Sequence, residues 1–237
     1  MNNTAPGLRA GAFFYLLRLF VRFSSLRWVF YGLGLALLSA CGHTPVTRTL
    51  AQAFDTGPNI DQQPLNPRLD YLRVSLNGRV ALMVLGYREQ TEQGPVDTWY
   101  SSQGEVLKLQ NGRIVSTVGL ALDWRDVRYQ NLPSWPEVTA NTQHVFVRVR
   151  DQMPKYRFGI SEQISFYPIA PPKDAKLAGI LADQLRWFEE KVVPSPHGLA
   201  SARFGLHTHG GVTQVIYGEQ CLTESMCIAW QKWPVHL

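Results

Sequence analysis

The sequence predicts a mainly β protein, with an antiparallel β-barrel-like or sandwich body and a short N-terminal helix. Hydrophobic residues make up 45% of the 237 residues, which is enough apolar material to form a core. From Leu69 onward, short segments alternate apolar and polar residues, the pattern of a strand with one buried face. Asn77-Gly78 and Asn111-Gly112 lie between such segments and are typical of hairpin turns.

The first 40 residues have the features of a bacterial lipoprotein signal peptide. They carry four arginines and no other charged residue, and the uncharged run from Trp28 to Ala40 has the length of a signal-peptide core. This run ends in Leu38-Ser39-Ala40-Cys41, which resembles a lipobox. We therefore predict a signal peptide at residues 1–40 and a lipid on Cys41; the alternative is an uncleaved anchor helix. Gly42 follows, where an Asp would favour the inner membrane, so we expect the periplasmic face of the outer membrane.

Two further cysteines remain once Cys41 carries a lipid. Cys221 and Cys227 form an even pair in the oxidising periplasm, and five residues separate them. A disulfide between them would join the two ends of a hairpin loop. The alternative is a pair of buried or free thiols.

The predicted elements follow in order along the mature chain. A lipidated tether is expected over residues 41–67, with a short helix at 46–55 and a Pro- and Gly-containing strap after it. A β-rich domain is expected over 68–237. Its predicted strands are 71–76, 79–86, 98–101, 105–109, 113–119, 144–149, 156–160, 163–167, 201–207 and 213–217. Within 174–192, apolar residues recur at helical spacing, which favours an amphipathic helix.

Several blocks of this sequence resemble the YjbF/GfcB family of exopolysaccharide lipoproteins. The densest similarity lies in residues 98–101, Thr-Trp-Tyr-Ser, and in 111–120, which begin Asn-Gly-Arg-Ile-Val. Tyr71-Leu72-Arg73 and residues 84–87 precede them, and a weaker match follows at Trp187-Phe188-Glu189-Glu190. The resemblance implies a barrel-like antiparallel body and a role in capsule or exopolysaccharide secretion. It also implies a strand at 185–192, which leaves a helix only over about 174–181.

No established catalytic or cofactor-binding motif occurs in the sequence, so we expect neither an enzyme nor a cofactor. His207 and His209 would lie on one face of a strand, which suits two metal ligands, but no third ligand can be named. Asp123 and Asp126 flank Trp124 and are the best acid–base candidates. A polysaccharide-modifying enzyme and a metal-binding module are therefore the alternative functions.

Tryptophans are candidates for glycan contact, because aromatic rings stack on the C–H faces of sugars. Trp124 and Trp135 lie among polar residues and prolines in an expected loop, so they are predicted at the surface. The net charge of +5 derives almost entirely from the leader, and the remainder carries 19 basic and 18 acidic residues. This balance argues against nucleic-acid binding. The expected function is a non-catalytic accessory in polysaccharide export or assembly. The expected partners are the membrane, an outer-membrane β-barrel or polysaccharide-export protein, and a glycan.

Overall fold

The computed structural model describes residues 60–135, 143–193 and 199–235, and these form one antiparallel sheet of twelve strands. The strands are β1 Tyr71–Leu76, β2 Arg79–Thr91, β3 Gly94–Ser101, β4 Val106–Gln110, β5 Arg113–Val118, β6 Asp123–Gln130, β7 His144–Met153, β8 Arg157–Ile169, β9 Arg186–Val192, β10 Ala202–His209, β11 Val212–Thr223 and β12 Met226–Trp233. Short 3-10 turns cover Ile60–Gln62 and Ala182–Gln184. The mainly β prediction is confirmed.

The sheet curls into a nearly closed barrel. Its strand order is β5-β4-β3-β2-β1-β12-β11-β10-β9-β8-β7-β6, so the first and last strands of the chain pair at the centre of the sheet. The two ends of the sheet, β5 and β6, meet through side chains. Thr117 donates to Asp123 at 3.0 Å, Ser116 donates to the Arg125 carbonyl at 3.0 Å, and Tyr129 donates to the Ile114 carbonyl at 3.2 Å. These side-chain bonds close the seam between β5 and β6.

The barrel interior is packed with apolar side chains and a layer of buried charge. Arg113 pairs with Glu190 at 2.6 Å, and both side chains are almost fully buried. Glu162 pairs with Arg148 at 2.7 Å and with Arg150 at 2.8 Å. Because an unpaired buried charge is costly, these pairs explain how charged side chains can occupy the core.

Strand β6 lies where the sequence analysis expected a loop. Trp124, Val127 and Tyr129 are its buried apolar residues. A register shift between Trp124 and Asp126 interrupts the alternation of buried and exposed residues, so the sequence of this segment lacks the pattern that predicts a strand. Strand β12 was not predicted either, whereas β8 joins two predicted strands into one.

The strand predicted at 185–192 is confirmed by β9, but the helix at about 174–181 is wrong. Leu177 and Ile180 are partly buried against a second small apolar cluster, which is separate from the main core. The Gln231 side chain donates to the Ala178 carbonyl at 2.6 Å and accepts from the Ala178 amide at 2.9 Å. These tertiary bonds take the place of the hydrogen bonds that a helix would supply.

The predicted disulfide is present. Cys221 and Cys227 are directly opposite each other on β11 and β12 and are bonded. Cys41, the predicted site of lipid attachment, and the helix predicted at 46–55 lie outside the described residues.

Replacing both Cys221 and Cys227 by Ala is expected to lower the free energy of unfolding by about 2 kcal/mol, because the short covalent ring restricts the unfolded chain. Denaturant unfolding of oxidised wild type and of the double variant measures this difference. Reduced wild type is the control and should behave like the variant. Equal stability of oxidised and reduced wild type would contradict the prediction.

Candidate ligand pocket at the barrel mouth

The barrel has a notch at the end where β1 begins and β12 ends. Tyr71, the first residue of β1, pairs with Val84, but β2 continues to Thr91. On the other side, β11 starts at Val212, well before its pairing with β12. The β2–β3 and β10–β11 hairpins therefore extend past the two short central strands and leave space between them.

A pocket of about 600 Å³ occupies this notch. We call it the mouth pocket; its polar and aromatic lining includes Asp70, Arg88, Asp97, Trp99, Gln214 and Lys232. Its rim includes Leu65, Asn66, Pro67 and Leu69 from the segment before β1, and Trp233, Pro234 and Val235 from the end of β12 onward. Its volume lies within the range of about 300–1,000 Å³ typical of small-ligand sites.

Strand pairing brings the charged lining together. Asp97 and Trp99 are two residues apart on β3 and therefore project from one face. Arg88 is the cross-strand partner of Asp97 on β2 and donates to its carboxylate through Nε at 2.5 Å and Nη2 at 3.0 Å. The hydrogen bond to Asp97 raises the pKa of Arg88 above its usual value.

Lys232 is the second cation of the pocket. Its Nζ donates to Gln214 Oε1 at 3.2 Å, and it has no salt bridge to a carboxylate of the described residues. Burial lowers the pKa of Lys232 below its usual value, although the nearby charges of Asp97 and Asp70 oppose this effect. The ammonium group is thus partly desolvated, and among the described residues it donates to Gln214.

The rim segment at residues 60–69 is fixed to the barrel. Arg73 donates to Asp61 at 2.7 Å, and the Tyr71 hydroxyl accepts from the Asn66 amide at 3.0 Å. From Ile60 onward, part of the segment predicted as a tether therefore lies against the barrel and shapes the pocket.

Trp124 and Trp135, the predicted glycan contacts, are not at the surface. Trp124 is 0% exposed, and the guanidinium groups of Arg148 and Arg150 lie 4.7 and 4.9 Å from its ring centre. Trp135 is 6% exposed and lies 3.9 Å from the guanidinium of Arg113. The prediction of surface stacking platforms is wrong, because their polar neighbours point outward from β6 and the loop while both rings point into the core.

Trp135 nevertheless borders a second pocket, of about 450 Å³, at the same end of the barrel. Thr213 lines this pocket, and the next residue of β11, Gln214, lines the mouth pocket. The faces of the Trp135 ring are taken up by Arg113, Phe166, Phe188 and Phe204.

The two acid–base candidates serve the structure. Asp123 accepts hydrogen bonds from Thr117 and from the Gly119 and Leu120 amides at the β5–β6 seam. Asp126 is exposed and pairs with Arg128 at 3.2 Å.

His207 and His209 do project from one face of β10, with stacked rings whose centres are 6.4 Å apart. Among the described residues, no group of three or more His, Cys, Asp or Glu side chains is arranged to hold a metal ion. Within the same residues, no helix has the length and apolarity needed to cross a membrane.

Sequence reasoning did not single out the mouth pocket. Arg88, Asp97 and Lys232 belong to three strands, and Lys232 comes near the other two only through the β12–β1–β2 pairing. The one available signal was the charged pair itself, since Arg88 follows the predicted strand at 79–86 and Asp97 directly precedes the one at 98–101.

Comparisons with known proteins identify the family and the fold. The family model described as "Group 4 capsule polysaccharide lipoprotein gfcB, YjbF" matches residues 59–215. The crystal structure of the hypothetical lipoprotein YmcC from Escherichia coli is similar in fold, with a TM-score of 0.52 and 21% sequence identity over 75% of this chain and 90% of that chain. No curated protein matches this chain. Because the family model covers well over half of the sequence, this chain belongs to the YjbF family of group 4 capsule polysaccharide lipoproteins.

Proposed function

We propose that this protein is a lipid-anchored, non-catalytic accessory in the export or assembly of a capsular or other extracellular polysaccharide. The observation that carries the proposal is the family match, which spans most of the barrel and is described by capsule polysaccharide. The leader and Cys41 support a position on the periplasmic face of the outer membrane. There, the barrel would meet export proteins and the polymer that is in transit across the periplasm.

The barrel interior supports a binding or scaffolding role. Among the described residues, the buried acids Glu162 and Glu190 are held in ion pairs with arginines. The third buried acid, Glu105, accepts a hydrogen bond from the Ser101 hydroxyl, and Asp123 is held by hydrogen bonds at the seam. A catalytic acid or base needs a free carboxyl or imidazole next to a substrate cleft. These groups instead stabilise the fold, which favours an accessory over the alternative of a polysaccharide-modifying enzyme.

Deletion of the gene is expected to abolish or strongly reduce surface polysaccharide, and wild-type protein should restore it. Cys41→Ala should lose labelling by a palmitate analogue and fail to restore output at equal protein level. Surface polysaccharide is measured by extraction and quantification of cell-associated and released polymer.

Gly42→Asp is the matched control for location, because it leaves Cys41 available for lipid and changes only the sorting signal. We expect labelled protein at the inner membrane and no restored output. Full restoration by Gly42→Asp would overturn the outer-membrane location. Unchanged polysaccharide in the deletion strain, under conditions that express the gene, would overturn the proposed function.

A further inference from the structure

We infer that the mouth pocket binds an uncharged sugar residue of a polysaccharide through its hydroxyl groups. This inference rests on the proposed function for the identity of the polymer, and it adds the binding site and the chemical class of the ligand. It is carried by the volume of the pocket, the balance of its charges and the unused hydrogen-bonding groups in its lining.

The charges of the lining cancel. Arg88 is neutralised by Asp97 in a two-bond contact, and Lys232 lies in the field of Asp70 and Asp97. Two cations and two carboxylates leave no net charge to attract an acidic sugar or a phosphate. A neutral ligand that can form hydrogen bonds with both the cationic groups and the carboxylates fits this lining best.

Hydrogen-bonding capacity remains on both kinds of group. Arg88 uses Nε and Nη2 for Asp97, which leaves Nη1, and Lys232 uses one of its three N–H donors for Gln214. The Asp70 carboxylate has no hydrogen-bond partner among the described residues and supplies acceptors. Each sugar hydroxyl is both a donor and an acceptor, so neighbouring hydroxyls can bridge such a mixed set.

Aromatic side chains complete the pocket. Trp99 lines it and is 3% exposed, and its indole N–H has no acceptor among the described residues. Tyr71 and Trp233 are half-buried cross-strand partners that flank the opening. The partly exposed rings of Tyr71 and Trp233 offer apolar surface to the C–H groups of a sugar, whereas the buried Trp99 offers only its indole N–H and the polar lining binds the hydroxyls.

The test uses the full lipoprotein in detergent micelles and oligosaccharides released by partial acid hydrolysis of the producing strain's polysaccharide. Anion exchange separates these into neutral and acidic fractions, and binding is measured by calorimetry. We expect the neutral fraction to bind, with a Kd that changes less than about twofold between about 0.05 and 0.5 M salt.

Lys232→Gln should raise the Kd by about tenfold, because it removes a charged hydrogen-bond donor from the pocket. Asp97→Asn should weaken binding similarly by releasing Arg88. Lys191→Gln, an exposed lysine on β9, is the matched control and should bind like wild type. Thermal unfolding of each variant confirms that the barrel is intact.

Absence of binding by both fractions, or equal binding by Lys232→Gln and wild type, would overturn the inference. Tighter, salt-sensitive binding of the acidic fraction would overturn the assignment of an uncharged sugar. The deletion experiment measures polysaccharide output, whereas this experiment measures oligosaccharide binding. Failure of the pocket inference is therefore distinguishable from failure of the proposed function.

Discussion

Glu162→Gln is expected to lower the free energy of unfolding by about 3–5 kcal/mol, the usual cost of removing one partner from a buried ion pair. The Glu162 carboxylate accepts from Arg148 at 2.8 Å and from Arg150 at 2.8 and 3.0 Å, and all three residues are buried. An amide of the same shape leaves two buried guanidinium groups without a counter-charge. Chemical denaturation at neutral pH measures the change.

Asp126→Asn is the matched control, since it makes the same chemical change in an exposed pair. Asp126 and its partner Arg128 have side chains that are 54% and 61% exposed, so the loss should be below about 1 kcal/mol. Equal effects of the two substitutions would contradict the role assigned to the buried cluster.

The effect of Glu162 depends on pH in a defined direction. Burial alone would raise the pKa of Glu162, but hydrogen bonds and charges from Arg150 and Arg148 outweigh it and lower the pKa below the ordinary 4.5. A carboxyl whose pKa is depressed in the folded state stabilises the fold above its unfolded pKa. The stability gap between wild type and Glu162→Gln should therefore be constant above about pH 5 and shrink as the pH falls through the lowered value.

Trp124→Ala is expected to cost about 3–5 kcal/mol, as for other large buried aromatic residues. The substitution leaves a cavity and removes the ring on which Arg148 and Arg150 lie. The measurement is the denaturant midpoint and, in cells, the steady-state amount of protein. A loss of surface polysaccharide in a Trp124→Ala strain would therefore result from unfolding of the protein, and not from the loss of a glycan-binding side chain.

Tyr156→Ala provides the control for an exposed aromatic residue. Its side chain is 71% exposed at the β7–β8 turn, so the expected change is within about 0.5 kcal/mol. Normal stability of Trp124→Ala would contradict the burial of this ring against the guanidinium groups of Arg148 and Arg150.

The regular hairpins could be predicted from the sequence, because the turn residues and the alternation of apolar and polar residues in the flanking segments both indicate a hairpin. Asn77-Gly78 and Asn111-Gly112 all have positive φ angles, as the two-residue turns require. Gly112 has a second constraint, since a Cβ would lie 2.6 Å from the Val215 side chain. Local signals of this strength need no tertiary information.

Where the prediction failed, long-range contacts override local pattern. The bulge in β6 shifts the apolar positions after Trp124, and Gln231 binds the backbone of a segment that has helical spacing. The error at Trp124 and Trp135 has a related cause. Polar neighbours in the sequence indicate that one side of a segment faces solvent, but they do not indicate whether the tryptophan lies on that side or on the buried side. The mouth pocket depends on Lys232 meeting residues that are far from it in sequence, which no local pattern encodes.

The pairing of β1 with β12 determines when this fold can be completed. Tyr71 and Trp233 are partners at the centre of the sheet, although nearly the whole domain separates them along the chain. The sheet cannot be assembled continuously from its N-terminus, because its middle contact awaits the last strand. Until that strand has been synthesised, the edge of β1 that β12 will cover stays unpaired.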